Sequence, residues 1–152
     1  MINLNMMKYA NTESWKNWMK SYSFGTLVFI PENEIFANVD NLRKQYDPSS
    51  ASSSMPHMTL TQPFSDNPKL EDFQRIQSVI DKFLSFSVET GPALASPSNT
   101  LLWVDVNPKT LFIRLRDELH DLGLFRTDLP YTKGFTPHMT ISEFGNFNEQ
   151  VN

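Results

Sequence analysis

The chain has 152 residues, no cysteine, a net charge of −4 and an isoelectric point near 5.3. That length suits one domain with a real core rather than two ordinary ones, and the absence of cysteine excludes a disulfide framework, a thiolate metal site and a cysteine nucleophile. The acidic balance excludes a global positive field able to hold long nucleic acid, so a nucleic-acid ligand should be short or gripped locally.

Twelve Phe, three Trp and four Tyr within a 39% apolar fraction are enough to fill a core. In Asn11–Tyr22, Trp15, Trp18 or Met19, and Tyr22 recur at helical spacing and predict a short docking helix. "GTLVFIP" (25–31) has the β-branched and aromatic composition of a strand and ends at a proline. Ile35, Phe36, Val39 and Leu42 then mark one face of a helix running to about Tyr46. "DPSSASSS" (47–54) reads as a flexible loop delivering the chain to "MPHMTLTQPF" (55–64).

Asn67-Pro68 is a helix-start signal, with Leu70, Phe73, Ile76, Val79, Ile80 and Phe83 as the buried face. "FSVETG" (86–91) and "TLLWVDV" (100–106) read as strands. Asn107-Pro108 repeats the start signal, Leu111, Leu115, Leu119 and Leu122 form one stripe, and Gly123 is the stop. His120, among Asp117, Glu118 and Asp121, reads as a solvated helical residue. A loop with "LPYTKGF" leads to "TPHMTISEF", which repeats the first phrase 81 residues on. The order strand, helix, loop, motif strand thus occurs twice, a duplicated unit of α+β class with the two motif strands near a pseudo-twofold axis. No apolar run is long enough to span a bilayer, no basic-then-apolar leader pattern is present, and a cytoplasmic monomer is expected.

On a strand, alternate side chains share a face, so His57 and Thr59 lie opposite Met58 and Leu60, and His138 and Thr140 opposite Met139 and Ile141. If the apolar faces pack under helices, two imidazoles and two hydroxyls face one cleft. With an ordinary pKa near 6.5, one imidazole can take a proton while the other gives one, and phosphodiester cleavage needs that pairing. The hydroxyls can hydrogen-bond non-bridging phosphate oxygens. No cofactor or metal is required. A lone His-x-Thr would be an ordinary strand histidine, and it is the second copy with matching flanks that favours a functional reading.

The paired motifs resemble those of the 2H phosphoesterase superfamily, named for two His-x-Thr/Ser motifs in a bilobal fold. "YDPSSASSSMPHMTLTQPF" is similar to the approach to the first motif in its 2'-5' RNA ligase branch. The stretch from "TLLWVDVNPKTLFIRLRDEL" through "GFTPHMTI" is similar to that branch's second half. The likeness covers roughly residues 24–144 of a single domain 1–152, whose duplicated core runs over about 24–147 behind an extension 1–23 with no counterpart. The resemblance implies two lobes of antiparallel strands covered by helices, with a central cleft. It further implies action on 2',3'-cyclic phosphates or 2'-5' linkages, with His57 and His138 as acid/base pair and Thr59 and Thr140 as phosphate ligands.

Among supporting residues, Tyr131, Lys133 and Arg126 stand before the second motif, within reach of a base and a phosphate. Phe64 and Phe144 end the motif strands and are candidates to sandwich a base, although a strand-end Phe is more often core. Trp103 alternates with Leu102 and Val104, so it faces either the cleft or a helix, and the cleft is the reading taken. The expected partner is a small nucleotide or short oligoribonucleotide, with no membrane and no long duplex. Two rivals stay open: a nucleotide or RNA-end binding module without turnover, and a metal-dependent hydrolase, for which no HExxH or carboxylate cluster is present.

Overall fold

A computed structural model describes residues 13, 17, 19–96, 100–129 and 134–143. A 3-10 turn, Met19–Tyr22, comes first, followed by β1 (Val28–Phe29), α1 (Asn33–Tyr46), α2 (Pro48–Ser53) and β2 (Met58–Thr59). Then come α3 (Leu70–Ile80), β3 (Glu89–Ala95), β4 (Leu101–Asn107), α4 (Lys109–His120) and β5 (His138–Glu143). The strands form two antiparallel sheets, β1-β2 and β3-β4-β5, so the class is α+β as the sequence pattern predicts. Among the described residues no helix is long and apolar enough to cross a membrane.

The chain groups into two compact units. One takes the described residues up to Leu27, with Thr61–Ser85 and those of Arg114–Gly134. Its core is Phe64, Ile76, Val79, Leu115, Leu119 and Phe125. Phe64 stacks on Phe125 at 4.7 Å and meets Phe73 edge-on at 6.1 Å, geometries in which aromatic rings attract beyond their buried area. The helix face predicted for α3 is buried at Ile76 and Val79 and opens at its ends, where Leu70 and Ile80 are exposed. The Asn67-Pro68 start is displaced to Leu70, because Asp72 in the first turn accepts from the Lys69 backbone N–H (2.8 Å) and so fixes the start there. Gly123, at φ +71°, ends the last turn after α4 in the left-handed conformation that glycine adopts without a side-chain clash.

The other unit takes Val28–Leu60, Phe86–Ile113 and the described residues from Phe135 onward. Leu102, Val104 and Val106 of β4, Met58 and Leu60, Met139 and Ile141, and Val39 of α1 are all buried there. Phe112 meets Phe29 and Phe86 edge-on, each at 5.4 Å. Burial of such side chains stabilises the fold by about 1.5–3 kcal/mol each before chain entropy is counted.

Three predicted elements change. The strand 25–31 shrinks to Val28–Phe29, because before it the Leu27 N–H donates to Thr61 Oγ1 (3.1 Å) and Thr26 Oγ1 donates to the Thr61 carbonyl (2.7 Å). Backbone bonds persist there from the Thr61 N–H to the Leu27 carbonyl (3.3 Å) and from the Phe64 N–H to the Gly25 carbonyl (3.0 Å), but the Leu27 N–H turns to a hydroxyl and the ladder is irregular. The strand expected at "FSVETG" begins at Glu89 and runs on through Gly91-Pro92 to Ala95. The dipeptide sits in a bulge between Thr90 and Ala93 on an edge strand, where proline is tolerated. The loop 47–54 is helical over Pro48–Ser53: Asp47 caps it by accepting from the Ser50 N–H (2.9 Å), with Pro48 in the first turn. The docking helix predicted over 11–22 is described only as the turn Met19–Tyr22, and Trp15 and Trp18 lie outside the described residues.

Candidate active site

The Pro-His-Met-Thr stretches of the two phrases, residues 56–59 and 137–140, fall in the same unit, on strands whose Cα atoms (β2 and β5) approach within 8 Å. Alternation divides each motif as expected. Met58, Leu60, Met139 and Ile141 are buried, whereas His57, Thr59, His138 and Thr140 are half-buried on the opposite faces. The buried partners explain why a one-residue slip is forbidden, since it would carry each imidazole into the core and each methionine out.

Each imidazole is tied down in the same way. His57 Nδ1 lies 2.8 Å from the Met55 carbonyl oxygen and His138 Nδ1 lies 2.7 Å from the Thr136 carbonyl oxygen. A carbonyl oxygen only accepts, so Nδ1 carries the hydrogen in both rings and Nε2 is left with its lone pair. The intervening residue is a proline in both cases, Pro56 and Pro137, each fully buried. Proline fixes its own φ and drives the preceding residue into an extended conformation, which presents the carbonyl two residues back to the ring. The Pro-His phrase is thus a device for fixing a histidine tautomer.

The surroundings of the two rings differ. Across the β4–β5 ladder Trp103 stands opposite Thr140 and Asp105 opposite His138. Directly opposed residues share a face, with Cβ atoms about 4.5–5.5 Å apart. The Trp103 ring lies 6.3 Å from the His138 ring in an edge-on geometry, and its Nε1–H donates to Asp105 Oδ1 (3.2 Å). Lys109, in the first turn of α4, donates to Asp105 Oδ2. The Lys109 hydrogen bond holds the Asp105 carboxyl below its ordinary range. Burial opposes that shift, and the Trp103 hydrogen bond and the charges of Lys109 and His138 reinforce it. A Cβ on Gly91 of β3 would meet Asp105 Cβ at 3.2 Å, so glycine leaves room for this carboxylate. On the β1 side, Val28 pairs with Thr59 and is exposed.

The family comparison covers the stretch that holds both His-x-Thr motifs. The model of the 2'-5' RNA ligase superfamily matches residues 31–149, more than half of the chain. The chain belongs to that superfamily, the 2H phosphoesterases. No curated protein matches it. Its α+β fold with two small antiparallel sheets agrees with a bilobal 2H phosphoesterase fold.

Of the residues singled out from the sequence, this 2H phosphoesterase brings together His57, Thr59, His138, Thr140 and Trp103 in one unit. Phe64 is 4% exposed and packs in the aromatic core of the other unit, the position the sequence already held to be commoner for a strand-end Phe. Arg126 lies in that other unit too, with its guanidinium on both carboxylate oxygens of Asp128 (2.9 and 2.7 Å). Tyr131, Lys133 and Phe144 lie outside the described residues. His120 is not a solvated residue. It stacks on Phe125 at 5.3 Å, and its Nε2 accepts from the buried Gln62 N–H at 3.1 Å. Burial, with the charge of Arg116, pushes its pKa down, against the pull of Asp117 and Asp121.

Asp105 and Lys109 went unread in the sequence. The signal was there in the alternation of "LLWVDVNPK", which puts Asp105 on the same face as Trp103. Among the described residues no group of three or more His, Asp or Glu side chains is close enough to hold a metal ion.

Proposed function

We propose that this 2H phosphoesterase is a metal-independent phosphodiesterase acting on 2',3'-cyclic phosphates or 2'-5'-linked ribonucleotides. The observation that carries the reading is the matched pair of imidazoles on neighbouring strands, each with Nδ1 held by a carbonyl two residues back. One Nε2 accepts the proton of the attacking hydroxyl while the other, protonated, donates to the leaving oxygen, so two protons move and the pair ends the step in exchanged states. On a 2'-5' linkage the 3'-hydroxyl attacks phosphorus, the bond to the 5'-oxygen breaks, and a 2',3'-cyclic phosphate and a 5'-hydroxyl result. On a cyclic phosphate, water is the nucleophile and the strained ring opens. Thr59 and Thr140 donate to the non-bridging oxygens, where charge builds in the transition state. Trp103, beside Thr140 and His138, offers an aromatic face or edge to the base attached to that phosphate.

The substrate class follows from how the nucleophile must arise. The chain has no cysteine, and neither motif supplies a serine with a histidine–carboxylate partner. A neighbouring ribose hydroxyl or a strained ring supplies through proximity what the protein does not. The test compares a 2'-5' dinucleotide with its analogue lacking the free 3'-hydroxyl, each with and without chelator. Cleavage of the first alone, at undiminished rate in chelator, is expected. Equal cleavage of both, or loss of activity in chelator with recovery on a divalent ion, overturns the reading. The physiological setting we propose with it is a cytoplasmic monomer handling small nucleotides or short oligoribonucleotides.

A further inference from the structure

We propose that Arg43 is a positioning residue that sets the two histidine motifs as one unit. Arg43 sits near the end of α1 and is 3% exposed. Its Nη2 donates to the carbonyls of Ser50 and Ser54 and to Ser54 Oγ, each at 2.9 Å. Its Nη1 reaches the Thr140 carbonyl at 3.4 Å. Ser54 immediately precedes Met55, whose carbonyl holds His57 Nδ1, and Thr140 is the hydroxyl residue of the second motif. One planar cation therefore touches the chain one peptide unit from the group that orients the first imidazole, and the backbone two residues from the second.

A second clamp lies one helical turn on. Asp47 Oδ2 accepts from the Ser50 hydroxyl (2.8 Å), the Glu143 N–H (3.2 Å) and the Ser142 hydroxyl (3.3 Å). The same short helix α2 is thus tied to β5 from both ends of the Arg43–Asp47 turn.

Stability alone does not account for a guanidinium in this place. Burial pushes its pKa down, against the pull of Asp40, Asp47 and Glu143, and its Nε is buried without a hydrogen-bond partner. A buried ion of this kind is often replaced by an apolar side chain of similar volume with no loss of stability. What an apolar replacement cannot do is bind three carbonyls from two separate stretches of chain, as the fork of donors on arginine does.

The proposal rests on the reading of His57 and His138 as acid and base, and its test separates the two. Full-length chain carrying 15N-labelled histidine is prepared with Arg43→Met and Arg43→Lys, and three quantities are measured. They are the thermal midpoint, the imidazole nitrogen signals, and kcat and KM for hydrolysis of adenosine 2',3'-cyclic phosphate. Both variants are expected to fold and the His57 and His138 signals to change together. His120, in the other unit, should keep its signals and serves as the internal control. The kcat should fall about 10–100-fold, as expected of a displacement on the order of 1 Å, with KM within about threefold. Arg43→Lys should recover part of the loss, because an ammonium keeps a donor without the fork. Unchanged histidine signals with wild-type kcat, or a change confined to one histidine, overturns the proposal. If the wild-type chain turns over neither the cyclic phosphate nor the dinucleotide while the two signals still move together, the brace stands and the proposed activity falls. Should both Arg43 variants fail to fold, Ser54→Ala at an exposed position removes one acceptor. A fall in kcat of about 2–10-fold, the worth of one hydrogen bond, supports the brace and wild-type kcat overturns it.

Discussion

A histidine whose Nδ1 is held by a backbone carbonyl can present only Nε2 to a substrate, and in this chain that restriction applies to both motif histidines. Acid and base in one transition state act as a unit, because removing either leaves a proton with nowhere to go. Replacing His57 or His138 by Ala is therefore expected to lower kcat by about 10²–10⁴, with the double variant no worse than the poorer single one. Initial rates of the two singles and the double on a cyclic phosphate check this. Multiplied losses in the double variant would mean that the two imidazoles serve separate steps. Thr59 and Thr140 each offer a single hydrogen bond, so either Ala variant should cost less.

At the scale of elements, His120 of α4 holds the chain after β2. Its Nε2 accepts from the Gln62 N–H, which requires the neutral ring, and its pKa lies below the ordinary 6.5 through burial and Arg116, opposed by Asp117 and Asp121. The unfolded chain takes up the proton first as pH falls, so this contribution is whole above about pH 6.5 and is lost towards the folded value. His120→Phe keeps a ring on Phe125 but leaves the buried Gln62 N–H unpaired, at a cost of about 1–3 kcal/mol at pH 7.5. Urea midpoints at pH 7.5 and 5.5 should show a steeper decline for the wild-type chain than for the variant, and parallel declines would exclude His120 as the source. The sequence led elsewhere here because a histidine among three acids reads as solvated, and nothing in the pattern of α4 announces a backbone donor 58 residues upstream. The motif alternation was legible because buried Met58, Leu60, Met139 and Ile141 enforce it locally. The hydrogen bonds to Met55 and Thr136 were legible only in part: the prolines are visible in both phrases, and the carbonyl they expose is not. Asp47 and Arg43 were hidden for the same reason as His120, since a serine-rich stretch after Asp-Pro looks like a loop until the guanidinium that organises it is placed. The continuation of β3 through Gly91-Pro92 was not legible, because glycine and proline are tolerated there only at a bulge of an edge strand.

Over the whole molecule the decisive quantity is charge. The net charge of −4 opposes a polyanion, and several basic side chains among the described residues stand opposite carboxylates: Lys44 with Asp40, Arg75 with Asp72, Lys109 with Asp105, Arg114 with Glu118 and Arg126 with Asp128. A cation already facing a carboxylate gains little from a phosphate several nucleotides away, because surface pairs of this kind are worth about 0–1 kcal/mol and salt screens what remains. The contacts that matter should therefore be confined to the reacting phosphate and its immediate neighbours. Each phosphate neutralised on a single strand steepens the fall of log affinity with log salt by about 0.7, so one or two such contacts predict a slope for kcat/KM of about −0.7 to −1.4. Lengthening a 2'-5' substrate from two to about ten nucleotides should leave both that slope and the kcat/KM per linkage nearly unchanged. Measuring kcat/KM across a length series from 50 to 200 mM salt decides the matter. A KM that drops with every added nucleotide, accompanied by a steepening salt slope, would reveal a backbone-tracking groove and would make long RNA, rather than a small nucleotide, the substrate to pursue.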